Sequence, residues 1–333
     1  MLLNARWIDV GLVSPEVFHA TYIGLAEIQS KDASPILLWG RTTSHICLGQ
    51  HQYSVAELKQ PLEVPVLQRP LGGGTVWVDE CQYCFVLIVP LDHAHGRPQQ
   101  WFEWGLAPAL ATYRQFGLDV MRQEQDVWLG GRKIGGSGAA TIGNCAVIAS
   151  SFLLHFPVER FAQCIACPSE GFRDWLKVAL LEGMTDWQSH RSVPQEAILA
   201  QVFRENVETS IGWLLADDDL TSDEMAAREA AICEVLSPEN ATGKRLVPNG
   251  IKLNARTFLT ERQDGRNWAR VLTVNGKFSR IRLSKALPQS GLVQLISSSP
   301  ECGALQTVLA GMMLQSEAGY WAELIMNTAY FQN

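Results

Sequence analysis

A lysine set beside glycines is the first feature of this chain that could do chemistry. In QDVWLGGRKIGG (125–136) two short apolar runs flank Gly130-Gly131, and a two-residue Gly-Gly connection predicts a tight hairpin, because both central residues need positive φ. In that register Leu129 faces Arg132, Trp128 faces Lys133 and Val127 faces Ile134. Side chains alternate along a strand, so Asp126, Trp128 and Lys133 share one face. A carboxylate and an ammonium come to the same side. The hairpin runs on into Gly135, Gly136, Ser137 and Gly138, which read as a Gly-rich turn. An ammonium beside bare main-chain N–H groups can hold a phosphate or stabilise charge growing on a carbonyl oxygen. A solvated surface lysine is the plainer alternative.

A second cluster is QRPLGGGTVWVDE (68–80), where Gly72, Gly73 and Gly74 lie between two strand-like runs. Glycines there let a ligand approach the main chain, at an entropic cost of around 0.5–1 kcal/mol each relative to alanine. A loose turn would use the same glycines. Arg69 just before them, with Trp77 and Asp79 on one face of the following strand, favours a binding loop. Neither string is the phosphate loop GxxxxGK[ST] or the dinucleotide fingerprint GxGxxG. Serine-hydrolase and metallohydrolase readings lack their GxSxG and HExxH parts.

The cysteines form the third cluster. Cys81-x-x-Cys84 and Cys164-x-x-Cys167 suggest a four-thiolate zinc site, but neither pair has knuckle turn chemistry, and Cys81 and Cys84 would point to opposite faces of a strand. His93-Ala-His95 reads as a loop, and no metal site is expected. Cys47, Cys84, Cys233 and Cys302 read as small apolar residues. Cys167 differs, because CPSEGFRDWL places it just ahead of a helix whose N-terminal dipole favours a thiolate. It is a candidate nucleophile.

The elements that must position these residues change in type along the chain. Apolar runs at 35–40, 46–49, 64–68 and 84–89 predict buried strands. Helical spacing covers 99–117, kinked or started late by Pro108 and stopped by Gly117. From 158 to 237 the pattern is helical, including the run VPQEAILAQVFRENVETSIGWLL. The segment 237–250 has no periodicity and reads as a linker between domains at 1–240 and 250–333. Beyond it 251–259, 268–284 and 292–298 read as strands, with Asn275-Gly276 as a hairpin turn, before helices near 304–314 and 317–327.

Composition narrows the partners. At 333 residues, 47% hydrophobic and 18% charged, the chain has the length of about two folded domains. Lys+Arg 27 against Asp+Glu 34 leaves a net charge of −7, a poor footprint for a nucleic acid. Arg6 and Asp9 interrupt the start where a signal peptide needs its apolar run, and no stretch approaches the ~20 apolar residues of a membrane span. A cytoplasmic protein with reduced thiols and no membrane partner is expected.

Taken together, LGQHQYSVAEL (48–58), VPVLQRPLGGGTVWVDE (64–80) and QDVWLGGRKIGGSG (125–138) resemble successive blocks of the biotin and lipoate protein ligase superfamily, in its lipoate-protein ligase and octanoyltransferase branch. The resemblance spans about 90 residues in the right order. It implies an α+β fold, a mixed β-sheet catalytic domain with a smaller α+β C-terminal accessory domain. It also implies lipoate or octanoate as substrate, ATP and Mg if the chain is a ligase, and a lysine of a lipoyl-domain protein as acceptor. By position, Arg69, Gly72, Gly73 and Gly74 would form the acyl-adenylate loop, Asp126 would act near the adenylate, and Lys133 would hold the acyl carbonyl oxygen. Gln68, Val78 and Gln125 stand where the family has arginine, histidine and asparagine. The family's thioester-forming octanoyltransferases carry a cysteine about 34 residues after the lysine, where Cys167 stands. An ATP-independent transfer from an acyl carrier protein through that thiol, or a non-catalytic lipoyl-domain binder, are the alternative readings.

Overall fold

The computed structural model describes residues 2–235, 243–297 and 300–331. By compactness the chain falls into two units: residues 1–54, 61–161 and 181–241 form one, and 55–60, 162–180 and 242–333 the other. The second therefore takes in two pieces from within the first 240 residues. The expected linker at 237–250 lies partly outside the described residues.

In chain order the elements are β1 (Leu3–Val13), α1 (Pro15–Ile28), β2 (Ile36–Thr42), β3 (His45–Leu48), α2 (Ser54–Glu57), β4 (Val66–Gln68), β5 (Val76–Val78), β6 (Gln82–Pro90), α3 (Pro98–Gly105) and α4 (Ala107–Gln115). There follow β7 (Val120–Gln123), β8 (Asp126–Leu129), β9 (Arg132–Gly135), β10 (Ser137–Ile142), β11 (Cys145–Leu153), α5 (Val158–Cys164), α6 (Glu170–Gly183), α7 (Glu196–Ile211), β12 (Trp213–Asp217) and α8 (Ser222–Val235). The last are β13 (Gly250–Asn254), β14 (Thr257–Asp264), β15 (Asn267–Val274), β16 (Lys277–Leu283), α9 (Gln289–Ser297), α10 (Cys302–Ala310) and α11 (Gln315–Thr328).

The first unit is built on a six-stranded mixed sheet of order β10-β11-β6-β2-β1-β12. β1 is parallel to β2 and β12, and the remaining pairs are antiparallel. Its central strands are apolar at nearly every position because both faces are covered. Leu37, Trp39, Phe85 and Leu87 enter one core with Trp101, Tyr113 and Phe203 from α3, α4 and α7. The alternate residues Ile36, Leu38, Val86 and Ile88 enter another with Tyr22 and Leu25 of α1 and Ala231 of α8. Gly24 permits that helix pair, since a Cβ there would lie 2.6 Å from the Ala227 backbone. Two three-stranded sheets, β4-β3-β5 and β7-β8-β9, carry the two glycine-bearing blocks.

In the second unit the antiparallel sheet β13-β14-β15-β16 packs Ala269, Val271, Phe278 and Ile281 against Leu295, Leu305, Leu309, Trp321 and Ile325 of α9, α10 and α11. The Asn275-Gly276 turn joins β15 to β16, with φ of 52° and 70°.

Several expected elements differ. The helix expected over 99–117 is two, α3 and α4, with Pro108 in the first turn of the second, where its missing N–H costs no hydrogen bond. Trp213, Leu214 and Leu215 belong to strand β12: Gly212 at φ 74° ends α7, and pairing with β1 takes over. The run at 292–298 is not a strand; its described part lies in α9, and residue 298 is outside the described residues. A short apolar run carries no period strong enough to separate the two.

Candidate active site

The lysine hairpin forms as its turn residues require, with Gly130 and Gly131 at φ 56° and 79°. Trp128 pairs with Lys133 and Leu129 with Arg132, but a bulge intervenes and Val127 faces Gly135, not Ile134. The expected Gly-rich turn after it is strand: Gly135 ends β9 and Ser137 and Gly138 begin β10, paired to Ser150 and Ala149 of β11. The bulge re-aims the hairpin without separating its charges. Lys133 Nζ lies 3.0 Å from Asp126 Oδ1, with side-chain exposures of 15% and 5%. Among the described residues Asp126 is the sole ion-pair partner of Lys133.

The surrounding backbone makes room for this ammonium. A Cβ at Gly136 would lie 3.1 Å from Lys133 Nζ and 3.2 Å from its Cε, so the lysine lies flat against a stretch of main chain that only glycine leaves bare. Ser150 Oγ donates to the Gly136 carbonyl at 2.9 Å, and Ser137 Oγ donates to the Gln125 carbonyl. The Thr185 N–H donates to the Lys133 carbonyl at 2.8 Å. The lysine is braced from several elements.

The triple-glycine block meets the hairpin block at one place. A Cβ on Gly138 would come within 3.3 Å of Leu71 Cβ and 3.5 Å of the Gly72 carbonyl oxygen. On its other side the loop abuts Gly49, whose added Cβ would lie 2.3 Å from the Gly73 carbonyl. Gly73 itself has φ 105°, a conformation that a side chain would strain. Gln52 ties the first block in: its Oε1 accepts the Gly49 N–H at 3.0 Å and its Nε2 donates to Thr75 Oγ1 at 3.0 Å.

Arg69 faces inward. Its Nη1 donates to the Cys47 carbonyl at 2.9 Å, and its Nη2 to the Gly72 and Gly74 carbonyls at 3.1 and 2.8 Å. The guanidinium holds the glycine loop from beneath, at 9% exposure. Gln68 braces the neighbouring segment, donating to the carbonyls of Gly49, Gln50 and Gln52 at 3.3, 3.0 and 2.9 Å. Trp77 and Asp79 share a face as expected, but are engaged with each other. Trp77 Nε1 donates to Asp79 Oδ2 at 2.7 Å, Asp79 Oδ1 accepts the Cys81 N–H at 2.9 Å, and Arg160 stacks over the indole at 4.9 Å.

Beneath Arg69 lies a group without any motif spacing. Ligand atoms of His19, His45 and Cys47 fall within 4.8 Å of one another, all buried. Their hydrogen bonds fix the tautomers. His45 Nδ1 lies 2.9 Å from the Thr43 carbonyl and must donate, so its Nε2 accepts from His19 Nε2 at 3.1 Å, and His19 Nδ1 accepts the Tyr22 hydroxyl at 3.2 Å. Burial pushes both rings down to about 3, helped at His19 by the Arg69 charge. Each ring nitrogen has a partner, and a cation here would sit against an arginine; the set reads as a neutral relay. The separation of 26 positions between the two histidines hid it from any spacing argument.

Cys167 belongs to the second unit, three residues before α6 begins. The expected thiolate stabilisation is not what its surroundings give. Burial pushes the thiol up, while Arg173 and Arg245 pull the other way with less effect. Ser169 caps the helix instead, its Oγ accepting the Phe172 N–H at 3.0 Å. All eight cysteines are free thiols.

A family model described as the lipoyl protein ligase A/B catalytic domain matches residues 18–204. A search of curated proteins found no match. Among solved structures, the chain is similar to a bipartite lipoate protein ligase from Thermoplasma acidophilum solved in a study of that archaeal lipoylation system and its E2 lipoyl domain. The TM-score is 0.65 at 17% identity, over 74% of this chain and 100% of that one. A lipoate-protein ligase A with bound ATP gives a TM-score of 0.60 at 14% identity, over 72% and 97%. LipL1 of P. falciparum, in complex with lipoate, gives 0.56 at 10% identity over 97% and 100%. At these identities the likeness is one of fold. No helix among the described residues is long and apolar enough to cross a membrane.

Proposed function

Because the chain belongs to the lipoyl protein ligase A/B catalytic-domain family, we propose that it is an ATP-dependent lipoate-protein ligase. It joins lipoate or octanoate to AMP, then passes the acyl group to a lysine of a lipoyl domain. The observation that carries this reading is the Lys133 ammonium, fixed by Asp126 at 3.0 Å and laid along the bare main chain of Gly136.

In the first step a carboxylate oxygen of the acid attacks the α-phosphorus of ATP and pyrophosphate leaves. In the second the acceptor amine attacks the mixed-anhydride carbonyl carbon, the C–O bond to AMP breaks, and the amine loses a proton. Both steps shift charge on the acyl oxygens. Lys133 donates to the oxygen on which charge grows, and Asp126, 3.0 Å away, keeps the ammonium aimed. Removing one such donor costs about 2.7–4 kcal/mol of transition-state stabilisation. The Arg69-shaped glycine loop would lie along the nucleotide. Magnesium would enter with the nucleotide phosphates, since Asp126 and Asp79 are already engaged by Lys133, Trp77 and Cys81.

Support for the partners comes from likeness: the similar structures include one solved with ATP and one with lipoate, and the archaeal ligase was studied with its lipoyl domain. The test is pyrophosphate release from Mg-ATP with octanoate or lipoate, followed by acylation of a lipoyl domain read by intact mass. Both are expected; acylation without pyrophosphate would overturn the ligase reading. A second reading, ATP-independent transfer through a Cys167 thioester, draws on the half-exposure of that thiol beside two arginines. It predicts an acyl adduct on Cys167 after incubation with an acyl carrier protein thioester, in which the thiol displaces the carrier thiol. Cys167→Ser would then abolish transfer, whereas the ligase reading leaves it intact.

A further inference from the structure

The second unit contains a cavity of about 410 Å3 lined by Cys167, Lys244, Arg245 and Asn249, with Pro168 and Pro248 at its sides. Its charges are unevenly matched. Arg245 Nη1 donates to the Ala166 carbonyl, and its Nε lies 3.5 Å from Glu57 Oε2. Yet, among the described residues, Nε and Nη2 are both buried without a hydrogen-bond acceptor. Glu57 offsets part of that charge through Oε2, while its Oε1 accepts the Leu246 N–H at 2.6 Å, which leaves Nη2 the donor without a counterpart. Burial weakens the hold of Arg245 on its proton, as expected for a guanidinium short of acceptors. Lys244 adds a second, exposed cation at the same wall.

Behind Cys167 the charges nearly cancel. Arg173 is directed at the Ala162, Gln163 and Ile165 carbonyls, Glu170 lies beside it, and Glu261 is paired with Arg270. With Arg245 beside Glu57, the charge at the cavity wall that has no ion-pair partner among the described residues is that of Lys244. A buried donor left without an acceptor costs about 1–3 kcal/mol, more when charged, and a planar guanidinium beside an ammonium matches the several oxygens of a phosphate.

We propose that this cavity binds a phosphate-class oxyanion, free or as the terminal group of a larger ligand, through Arg245 and Lys244, with Cys167 at its wall. The proposal does not rest on the ligase reading and needs no turnover to test.

Cys167 is a built-in reporter of the potential there. Iodoacetate carries a negative charge and iodoacetamide none; with either, the thiolate sulfur forms a bond to carbon and iodide leaves. Rates are measured residue by residue by peptide mass mapping on the full chain, with exposed Cys233 on α8 as the internal reference. The iodoacetate-to-iodoacetamide rate ratio is expected to be about fivefold or more higher at Cys167 than at Cys233 at low ionic strength. Millimolar inorganic phosphate should slow alkylation at Cys167 by both reagents and leave Cys233 untouched, with chloride at equal ionic strength and acetate much less effective. Lys244→Met, at an exposed position, should lower the ratio and weaken protection, and Arg245→Met should remove both. Should Arg245→Met fail to fold, Lys244→Met decides alone, and a thermal upshift by phosphate that this variant lacks gives a reading independent of thiol reactivity. Equal ratios at the two cysteines would overturn the proposal, as would protection by chloride or acetate as strong as by phosphate.

Discussion

Two cations serve the glycine-bearing blocks in opposite ways. Arg69 is buried, with its guanidinium directed at three main-chain carbonyls of the loop and of β3. Lys133, on the hairpin, is held by a single carboxylate and lies along a bare strand. A forked, always-charged donor suits the first task, because one side chain can gather several carbonyls into a fixed curve. A compact ammonium with three rotatable donors suits the second, since one donor can serve Asp126 while the others remain for a ligand oxygen. Position beside the glycines is therefore not enough to make a cation a ligand-binding group; what matters is how many of its donors the fold already uses.

Altering each cation separately sharpens the contrast. Lys133→Met should lower kcat/KM for acyl transfer by about 100- to 1000-fold, while costing only about 1–2 kcal/mol of stability through the carboxylate left behind. Adding Asp126→Asn should restore most of that stability in urea unfolding and none of the rate. Lys133→Met with near-normal turnover would end the catalytic assignment. Arg69→Met should do the reverse, destabilising by about 3 kcal/mol as three buried carbonyls lose a charged donor. If its stability loss were smaller than that of Lys133→Met, the scaffolding role of Arg69 would fail.

The relay beneath Arg69 extends the comparison to pH. His19 and His45 have folded-state pKa values of about 3, against about 6.5 in an unfolded chain. Below pH 6.5 the unfolded state therefore binds more protons, and stability is lost as pH falls from about 6.5 toward 3, by up to about 1.4 kcal/mol per pH unit for each ring. Urea midpoints measured across that window should fall, and a His19→Gln/His45→Gln double variant should flatten the slope. A wild-type midpoint constant between about pH 6.5 and 4 would mean that the rings charge without unfolding. The smallest effect is expected at Gly136→Ala. The new Cβ would meet Lys133 Nζ at 3.1 Å, and because that end of the side chain can move, a roughly tenfold drop in kcat/KM with little change in stability is expected. An alanine variant of full activity would show that the lysine does not work from where it lies.

Much of this could be read locally. Gly130-Gly131 sets the hairpin turn, which is why the Asp126–Lys133 pair was foreseeable from spacing alone. The bulge that moves Val127 opposite Gly135 was not, because the alternation of the run does not mark where an extra residue enters the ladder. The strand at Trp213–Asp217 hides inside a helical pattern because it exists to pair with β1, about 210 residues away. Likewise Leu292, Val293 and Leu295, in the run read as a strand, suit either element, and α9 wins because Leu295 is buried in the second unit's core with Leu292 packed against it. The inward turn of Arg69 and the histidine relay were invisible for a related reason, since orientation toward or away from the protein is not a property of neighbouring residues.

The sequence by itself determined the residue types at the site, the turn that brings Asp126 to Lys133, and the glycines that leave their main chain bare. These rest on φ/ψ sterics and strand alternation, which act over a few residues. Tertiary structure alone decided that Gly138 meets Gly72, that Arg69 turns inward, and that burial raises the Cys167 thiol at the wall of its cavity. Those outcomes depend on burial and on partners far along the chain, and burial is a property of the packed molecule.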